Sequence, residues 1–277
     1  MWGVTPKDPM SRLDFFLARI VPLVVICCFV PLSCISANAV QDDQLAHAVQ
    51  LRENNREVEA LQLFEHILAE EPDNYQALLN AGFLHFRQGW LYREKGSEEQ
   101  KQHYLKLAAY AERALLLKPE DYQARLLQVV AKAKTAGFMP SGDQVRIVRE
   151  LHRELPVLIA SAQDDPDPIY IFSWLNLKVG SVGSFERMLA SMFFGGLPEE
   201  LTTDNAVALM QKAIELRPDY SVYYYDLGLF RQRLGQAQEA RELFEKILVM
   251  EPKTPEEKVY RKWAEQRLME LAKDESR

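Results

Sequence analysis

Apolar residues recur along the chain at the three- and four-residue spacing of amphipathic helices, and one such pattern occurs twice. Residues 63–72 read LFEHILAEEP and residues 243–252 read LFEKILVMEP. Each stretch has one apolar helical face and ends at a Glu-Pro pair, because proline cannot continue a helix. No segment shows the two-residue alternation of a half-buried strand. The pattern predicts an all-α chain built by stacking one helical unit.

Prolines that end helices divide the chain into units. They stand at Pro72, Pro119, Pro218 and Pro252. The last two are 34 residues apart (252 − 218), which is the period of tetratricopeptide repeats. The first two are 47 residues apart (119 − 72), so about 13 extra residues enlarge that unit.

The last unit resembles a tetratricopeptide repeat. Gly228 lies on its first helix, Leu234 and Gly235 make the turn, and Ala240 and Phe244 lie on its second helix. Gly228 and Ala240 let the two helices approach closely, and Phe244 fills the gap to the next unit. The resemblance implies a helical-hairpin solenoid, a right-handed superhelix, with enlarged and irregular central units.

The central units have mixed signals. A helix that opens at Asp143 is predicted to be kinked or split by Pro156, and residues 164–168 are predicted to form a loop. Residues 169–179 are helical or extended by composition alone, and the repeat context favours a helix.

Two later helices have clear ends. The apolar helix 185–194 is terminated by Gly195 and Gly196, and its segment 188–194 is predicted to pack in the core or, alternatively, to wall a ligand pocket. The final helix is predicted to start at Thr254 with a capping box and a proline at its first position.

The first 39 residues differ from the rest. Basic residues precede a short apolar run at 20–32, and small residues follow at Ala37 and Ala39. This pattern predicts a signal peptide, residues 1–39, cut after Ala39, with residues 40–277 forming one solenoid domain that is periplasmic or secreted. The run is shorter than the ~20 residues of a membrane span, so the mature chain is predicted to have none. An uncleaved leader, anchored in the inner membrane, is the alternative.

Composition narrows the partners. Lys and Arg number 33 against 40 Asp and Glu, a net charge of −7 with no basic stripe, which disfavours nucleic acid. Without the leader the balance is 30 − 38, or −8, and such a surface does not favour anionic lipid headgroups. All three cysteines lie in the leader. Cys34 also allows a lipoprotein signal as an alternative.

No catalytic or metal-binding pattern stands out. None of the five histidines has a zinc-ligand spacing, and residues 180–184 (GSVGS) lack the order of a nucleophile elbow. Asp164, Asp165 and Asp167 are interrupted by prolines and lack the glycine of a calcium loop. We expect no enzyme activity, cofactor or metal.

In tetratricopeptide superhelices the first helix of each repeat lines the concave groove. The resemblance therefore places partner-binding residues at Leu79, Phe83, Phe86, Arg87, Tyr225, Leu229, Gln232 and Arg233. Relatives that grip a terminal carboxylate use Lys and Asn there, whereas this set is mainly apolar, so a carboxylate clamp is not expected. An aromatic groove with an Arg edge suits a helix or an extended apolar peptide. In the alternative, Phe83, Phe86 and Tyr225 pack against the extra helices.

A series of short blocks runs through most of the chain after the leader. It comprises Trp174 and the blocks 97–101 (SEEQK), 110–115 (YAERAL), 186–187 (ER), 194–198 (FGGLP), 213–218 (AIELRP) and 253–258 (KTPEEK). In their order these blocks resemble the regulator of microtubule dynamics family. The resemblance implies an all-helical fold and supplies no catalytic residues. Eukaryotic members are associated with microtubules or tether organelle membranes, but the predicted leader indicates a bacterial exported relative, away from tubulin.

Three functions follow as hypotheses. The first is a non-enzymatic scaffold in the bacterial envelope that binds a protein or peptide partner in the concave groove. The second is an accessory small-molecule or lipid-binding component of a solute uptake system. The third is a membrane-anchored tether, which requires that the leader stay attached.

Overall fold

The computed structural model describes residues 32–91 and 97–275, with side chains from residue 43 to residue 273 apart from the gap at 92–96. Residues 1–31 of the predicted leader lie outside this part. The described residues form α-helices and one 3₁₀ turn, Ala136–Phe138, without a strand. The helices are α1 Leu32–Glu53, α2 Glu57–Glu70, α3 Tyr75–Leu91, α4 Glu98–Leu117, α5 Tyr122–Thr135, α6 Ser141–Ser161, α7 Pro166–Gly180, α8 Ser184–Phe194, α9 Thr203–Leu216, α10 Ser221–Arg233, α11 Ala237–Val249 and α12 Pro255–Glu275.

Consecutive helices pack as pairs and the pairs stack. The pairs are α1 with α2, α3 with α4, α5 with α6, α7 with α9, and α10 with α11, and α12 packs on the last pair. The helix α8 is an insertion between the two members of the fourth pair and contacts α6. The predicted all-α solenoid with irregular central units is confirmed.

The last pair shows the packing that its sequence predicts. Phe244 on α11 is fully buried, and a Cβ atom at position 228 would lie 2.5 Å from its ring. Only glycine on α10 leaves room for this ring, so the two helices can approach closely. The predicted close approach of the two helices at Gly228 is confirmed, and Phe244, predicted to fill the gap to the next unit, fills the space beside Gly228 within its own hairpin.

Polar side chains define where several helices begin. The Ser97 hydroxyl accepts the Gln100 N–H at the start of α4, and the Asp121 carboxylate caps α5. Thr254 and Glu257 form the complete reciprocal capping box at α12, with N···O distances of 3.2 and 3.0 Å. These caps satisfy backbone donors that have no partner inside the helix.

The central units depart from the prediction at two prolines, because the structure excludes a split at Pro156, one of the two outcomes predicted there, and shortens the predicted loop at Pro166. The helix α6 begins at Ser141 and continues through Pro156 without splitting, because Leu151, Leu155 and Leu158 on both sides of the proline are buried in one cluster. The predicted loop 164–168 is shorter, because α7 already starts at Pro166. A proline at the first helical position loses no hydrogen bond, and the Asp165 carboxylate caps this helix by accepting the Asp167 N–H.

Candidate interaction surface

The first helices of successive pairs, α3, α5, α7 and α10, share one side of the stack with α12, and we call this side the inner face. Contacts across it connect distant parts of the chain. Arg87 on α3 donates to Glu256 on α12 at 2.6 Å, and the Trp90 ring stacks on Tyr260 at 5.5 Å between centroids. The helix α3, in the N-terminal part of the solenoid, therefore contacts the C-terminal helix α12 across the inner face.

Arg87 was predicted to contact a partner, but the structure gives it an internal role. Its guanidinium lies between Glu57, at 2.8 Å, and Glu256, and only 19% of its side chain is exposed. The Tyr220 hydroxyl donates to the same Glu256 carboxylate at 3.1 Å. Neighbouring carboxylates raise the pKa of Arg87 although burial opposes them. Arg87 therefore holds α2, α3 and α12 together.

Replacing Arg87 with methionine should lower the free energy of unfolding by about 1–3 kcal/mol, because two partly buried carboxylates lose their counter-charge. The distance between α3 and α12, measured between spin labels, should also broaden. The control is Arg56→Met, which removes an exposed pair with Glu59 at the start of α2 and should change neither quantity measurably. Equal effects of the two substitutions would mean that Arg87 does not tie the ends together.

The other predicted positions on α3 divide by exposure. Phe83 is 42% exposed and remains accessible. Leu79 and Phe86 are half-buried against the cluster that contains Tyr104 and Leu107. The Lys134 ammonium lies 5.1 Å from the centre of the Phe86 ring, a cation–π contact. Phe83 is thus the accessible apolar side chain of this set.

Tyr225 was also predicted to contact a partner or, alternatively, to pack against the extra helices, and the structure packs it against α11 and α12. It is 7% exposed, with its ring 5.2 Å from that of Tyr260 and 5.5 Å from that of Phe244. Its hydroxyl group bonds the Arg267 guanidinium, and this hydrogen bond is the main reason that the pKa of Arg267 is raised. The hydroxyl group of Tyr225 therefore helps to hold the Arg267 side chain in place.

The remaining predicted positions lie together. Leu229, Gln232 and Arg233 on α10 and Arg267 on α12 line a cavity of about 300 Å³, which we call the C-terminal pocket. Arg267 also pairs with Glu270 at 2.8 Å, on an exposed part of the same helix. No ion pair of Arg233 occurs among the described residues. A carboxylate site was not expected here from the sequence, but Arg267 of α12, which the repeat register did not include, joins Arg233 at the pocket. Two arginines, one amide and one apolar side chain form a set that suits a carboxylate.

Sequence reasoning missed a buried acid at the centre of the inner face. Asp226 is 4% exposed and accepts hydrogen bonds from the Tyr170 hydroxyl at 2.7 Å and the Trp174 indole at 3.0 Å. Burial raises the pKa of Asp226 to about 6. Burial likewise lowers the pKa of Lys134 to about 8. The repeat pattern gave no signal for either residue, because in the sequence both look like ordinary polar helix positions.

A second polar cluster lies between α2, α3 and α4. His85 is 1% exposed, and its Nε2 lies 3.2 Å from Glu65 and its Nδ1 2.9 Å from Nδ1 of His103. A carboxylate only accepts, so His85 carries its proton on Nε2, and its Nδ1 then accepts the proton of His103. Burial lowers the pKa of His85 to about 4. The cluster is therefore a neutral histidine pair on an ionised glutamate.

The apolar segment 188–194 differs from the prediction of core packing, while the alternative of a ligand pocket stays a prediction. Four of its five large side chains are exposed and do not join the core. Met188, Met192, Phe193 and Phe194 are between 43 and 65% exposed. The expectation of core packing is wrong because the buried residue of α8 is the small Ala190, which lies on the side of the helix nearly opposite Met188 and Met192.

Two kinds of site are absent from the part of the chain that the structure describes, a cluster of metal ligands and a membrane-spanning helix. No three His, Cys, Asp or Glu side chains there come close enough together to hold a metal ion. Among the same residues, no helix has the length and apolar character that crossing a membrane requires.

Stacked helical hairpins with a 34-residue period define a tetratricopeptide-type solenoid. Within that class, the family model of regulator of microtubule dynamics protein 1-3 matches residues 44–272, so the chain belongs to this family. The resemblance seen in the sequence is confirmed. A comparison with curated proteins finds no match.

Solved structures of other tetratricopeptide proteins resemble the fold. TTC0263 of Thermus thermophilus, described as a thermophilic TPR protein, is 19% identical with a TM-score of 0.50, and the match covers 81% of this chain and 98% of that one. MamA from Desulfovibrio magneticus RS-1 is 17% identical with a TM-score of 0.43 and coverages of 74% and 92%. YrrB, described as having an unusual peptide-binding site, is 14% identical with a TM-score of 0.40 and coverages of 80% and 90%. At these identities the likeness concerns the fold alone.

Proposed function

We propose that this chain is a non-enzymatic scaffold that binds a protein or peptide partner on its inner face, with an acidic group of the partner in the C-terminal pocket. The observation that carries the proposal is the convergence of Arg233 and Arg267 on one cavity, beside Leu229 and Gln232. These residues come from two helices, so the fold itself creates the pocket.

The net charge of the chain and the volume of the C-terminal pocket both support an acidic group as its ligand. The chain carries a net charge of −7, so a pocket with two guanidinium groups stands out against an acidic background and attracts a carboxylate. Guanidinium binds carboxylates in a bidentate manner, which also fixes their orientation. A cavity of about 300 Å³ is at the small end of ligand pockets. It accommodates one acidic side chain or a chain end, while Phe83 offers an apolar contact farther along the inner face.

The proposal assigns no chemical step to the inner face. The ionisable groups there are engaged with one another, since Arg87 holds two carboxylates and Asp226 holds Tyr170 and Trp174. Such groups stabilise a rigid surface and do not present a nucleophile and a base to a substrate. A preformed surface binds with a small ordering cost.

The location is proposed from the leader. The basic start, short apolar run and small residues near Ala39 support export to the bacterial envelope. Sequencing the N terminus of the protein isolated from cells tests this part. A start at Val40 supports a free envelope protein, whereas a retained leader favours the anchored tether.

The combined substitution Arg233→Gln and Arg267→Gln should lower retention of the partner from an envelope fraction at least about tenfold, because charge-assisted hydrogen bonds are lost. Raising the salt concentration should weaken the wild type and leave the variant little changed. Retention is measured by quantitative mass spectrometry on immobilised protein.

The matched control is Arg261→Gln, which removes an exposed arginine of the same helix that pairs with Glu265. It should retain the partner like the wild type. Equal loss for the control, or full retention by the double variant, would contradict a specific role of the C-terminal pocket.

A further inference from the structure

The helix α8 presents its apolar side to solvent. Five of its eleven residues are large apolar side chains that are exposed, and the buried residue of this helix is Ala190. The exposed fractions are 64% for Phe185, 49% for Met188, 65% for Met192, 65% for Phe193 and 43% for Phe194. An ordinary surface helix has the opposite arrangement, with its apolar stripe on the core.

Helical geometry explains how this arises. Phe185, Met188 and Met192 are three and seven residues apart, so they share one face, and Ala190, two residues from Met192, lies nearly opposite. Near the C-terminal end of α8, the Phe194 ring packs beside Gly142 on α6, where an added Cβ atom would approach it to 3.0 Å. The Arg187 guanidinium donates to the Val179 carbonyl at 2.7 Å. These contacts fix α8 to the rest of the molecule through Phe194 and Arg187. The apolar stripe of Phe185, Met188 and Met192 therefore faces solvent.

The size of this face limits what covers it. Eleven residues make a helix about 17 Å long and about 10 Å across, which presents roughly 200 Å². A stable interface with a second copy or another protein buries about 800 Å² on each partner. One convex helix also offers no groove for a peptide. A bilayer needs no matching area, because individual side chains enter it separately.

We propose that α8 docks this protein on a lipid bilayer by inserting its phenylalanine and methionine side chains between the lipid headgroups. The helix lies in the plane of the surface, with the stripe of Phe185, Met188 and Met192 immersed. The contact is apolar, so neutral lipids suffice, in keeping with the acidic surface of the chain. Because α8 rests on α6, the outer member of its pair, docking leaves the inner face open to a partner.

A fluorescent label on α8 tests this in the full chain. With Cys27, Cys28 and Cys34 replaced by serine, Met192→Cys provides a unique thiol for an environment-sensitive dye. Adding phosphatidylcholine vesicles should shift the emission to the blue and raise it about twofold or more, because the dye enters an apolar layer. The readout is local, so an attached leader that binds vesicles does not imitate it. The matched control carries the label at Leu116→Cys, a 75% exposed position on α4, and should not change.

A second variant separates insertion from other contacts. Adding Phe185→Ser and Met188→Ser, both on the immersed stripe, should raise the lipid concentration needed for half of the Met192 signal roughly tenfold or more, because less apolar area enters the bilayer. Both side chains are exposed, so circular dichroism should be unchanged. If the emission of the dye at position 192 does not change when vesicles are added, the proposal is wrong. The proposal is also wrong if the emission shifts with protein concentration in the absence of lipid, because α8 would then bind a second copy of the protein.

Discussion

Replacing Phe244 with alanine is expected to lower the free energy of unfolding by about 3–5 kcal/mol. The ring is fully buried, fills the space left by Gly228 and contacts Tyr225. Its loss leaves a cavity between α10 and α11, and the backbone cannot close it without moving a whole helix. The measurement is urea unfolding followed by circular dichroism.

The control for this substitution lies on the same helix. Val249 is 86% exposed, so Val249→Ala should change the free energy of unfolding by about 0.5 kcal/mol or less. A loss below about 1 kcal/mol for Phe244→Ala, or similar losses for both variants, would mean that the last hairpin is not packed around this ring.

Lowering the pH should change the free energy of unfolding through two buried groups whose contributions have opposite signs. Burial lowers the pKa of His85 from 6.5 to about 4, so the unfolded chain binds more protons between these pH values and stability falls as the pH drops through them. Burial raises the pKa of Asp226 from 3.8 to about 6, so the folded chain binds more protons and stability rises as the pH drops from 6 to 3.8. Each contribution reaches about 3 kcal/mol near pH 4.

Two variants separate these contributions. Between pH 6.5 and pH 4, Asp226→Asn should lose about 3 kcal/mol more stability than the wild type, because its compensating protonation is gone. His85→Gln should show the reverse difference. The control, His66→Gln, changes an exposed histidine that pairs with Glu70 and should follow the wild type. Parallel pH curves for all four proteins would show that the two buried groups do not titrate as described.

The repeat pattern predicts the fold because its signals depend on residues that are close together in the sequence. The Pro218 to Pro252 period, the capping box at Thr254 and the Gly228–Phe244 pair each depend on neighbours within one unit, and all three are found in the structure. The structure has no helix end at Pro156, which was one of the two outcomes predicted there, and it starts a helix at Pro166, inside the predicted loop. A proline disfavours a helix locally, but buried leucines around Pro156 outweigh that cost, and the first helical position at Pro166 removes it.

The inner face was only partly predictable. Leu229 and Arg233 follow from the repeat register, whereas Arg267 belongs to a helix that the sequence presents merely as a charged end of the stack. The inner location of Arg87 followed from the same register, but its contact with Glu256 spans 169 residues and has no local signal. The outward stripe of α8 was missed for a related reason, since an amphipathic pattern does not say which side meets the core.

The measurement that tests the inner face most directly is position-dependent photo-crosslinking in cells. A photoreactive amino acid is placed at Leu229, inside the C-terminal pocket, and in a second strain at Leu116, exposed on α4. The account predicts a discrete adduct with one protein from Leu229, lost when Arg233 and Arg267 are both glutamine, and no such adduct from Leu116. No adduct from Leu229, or the same adduct from both positions, would contradict it.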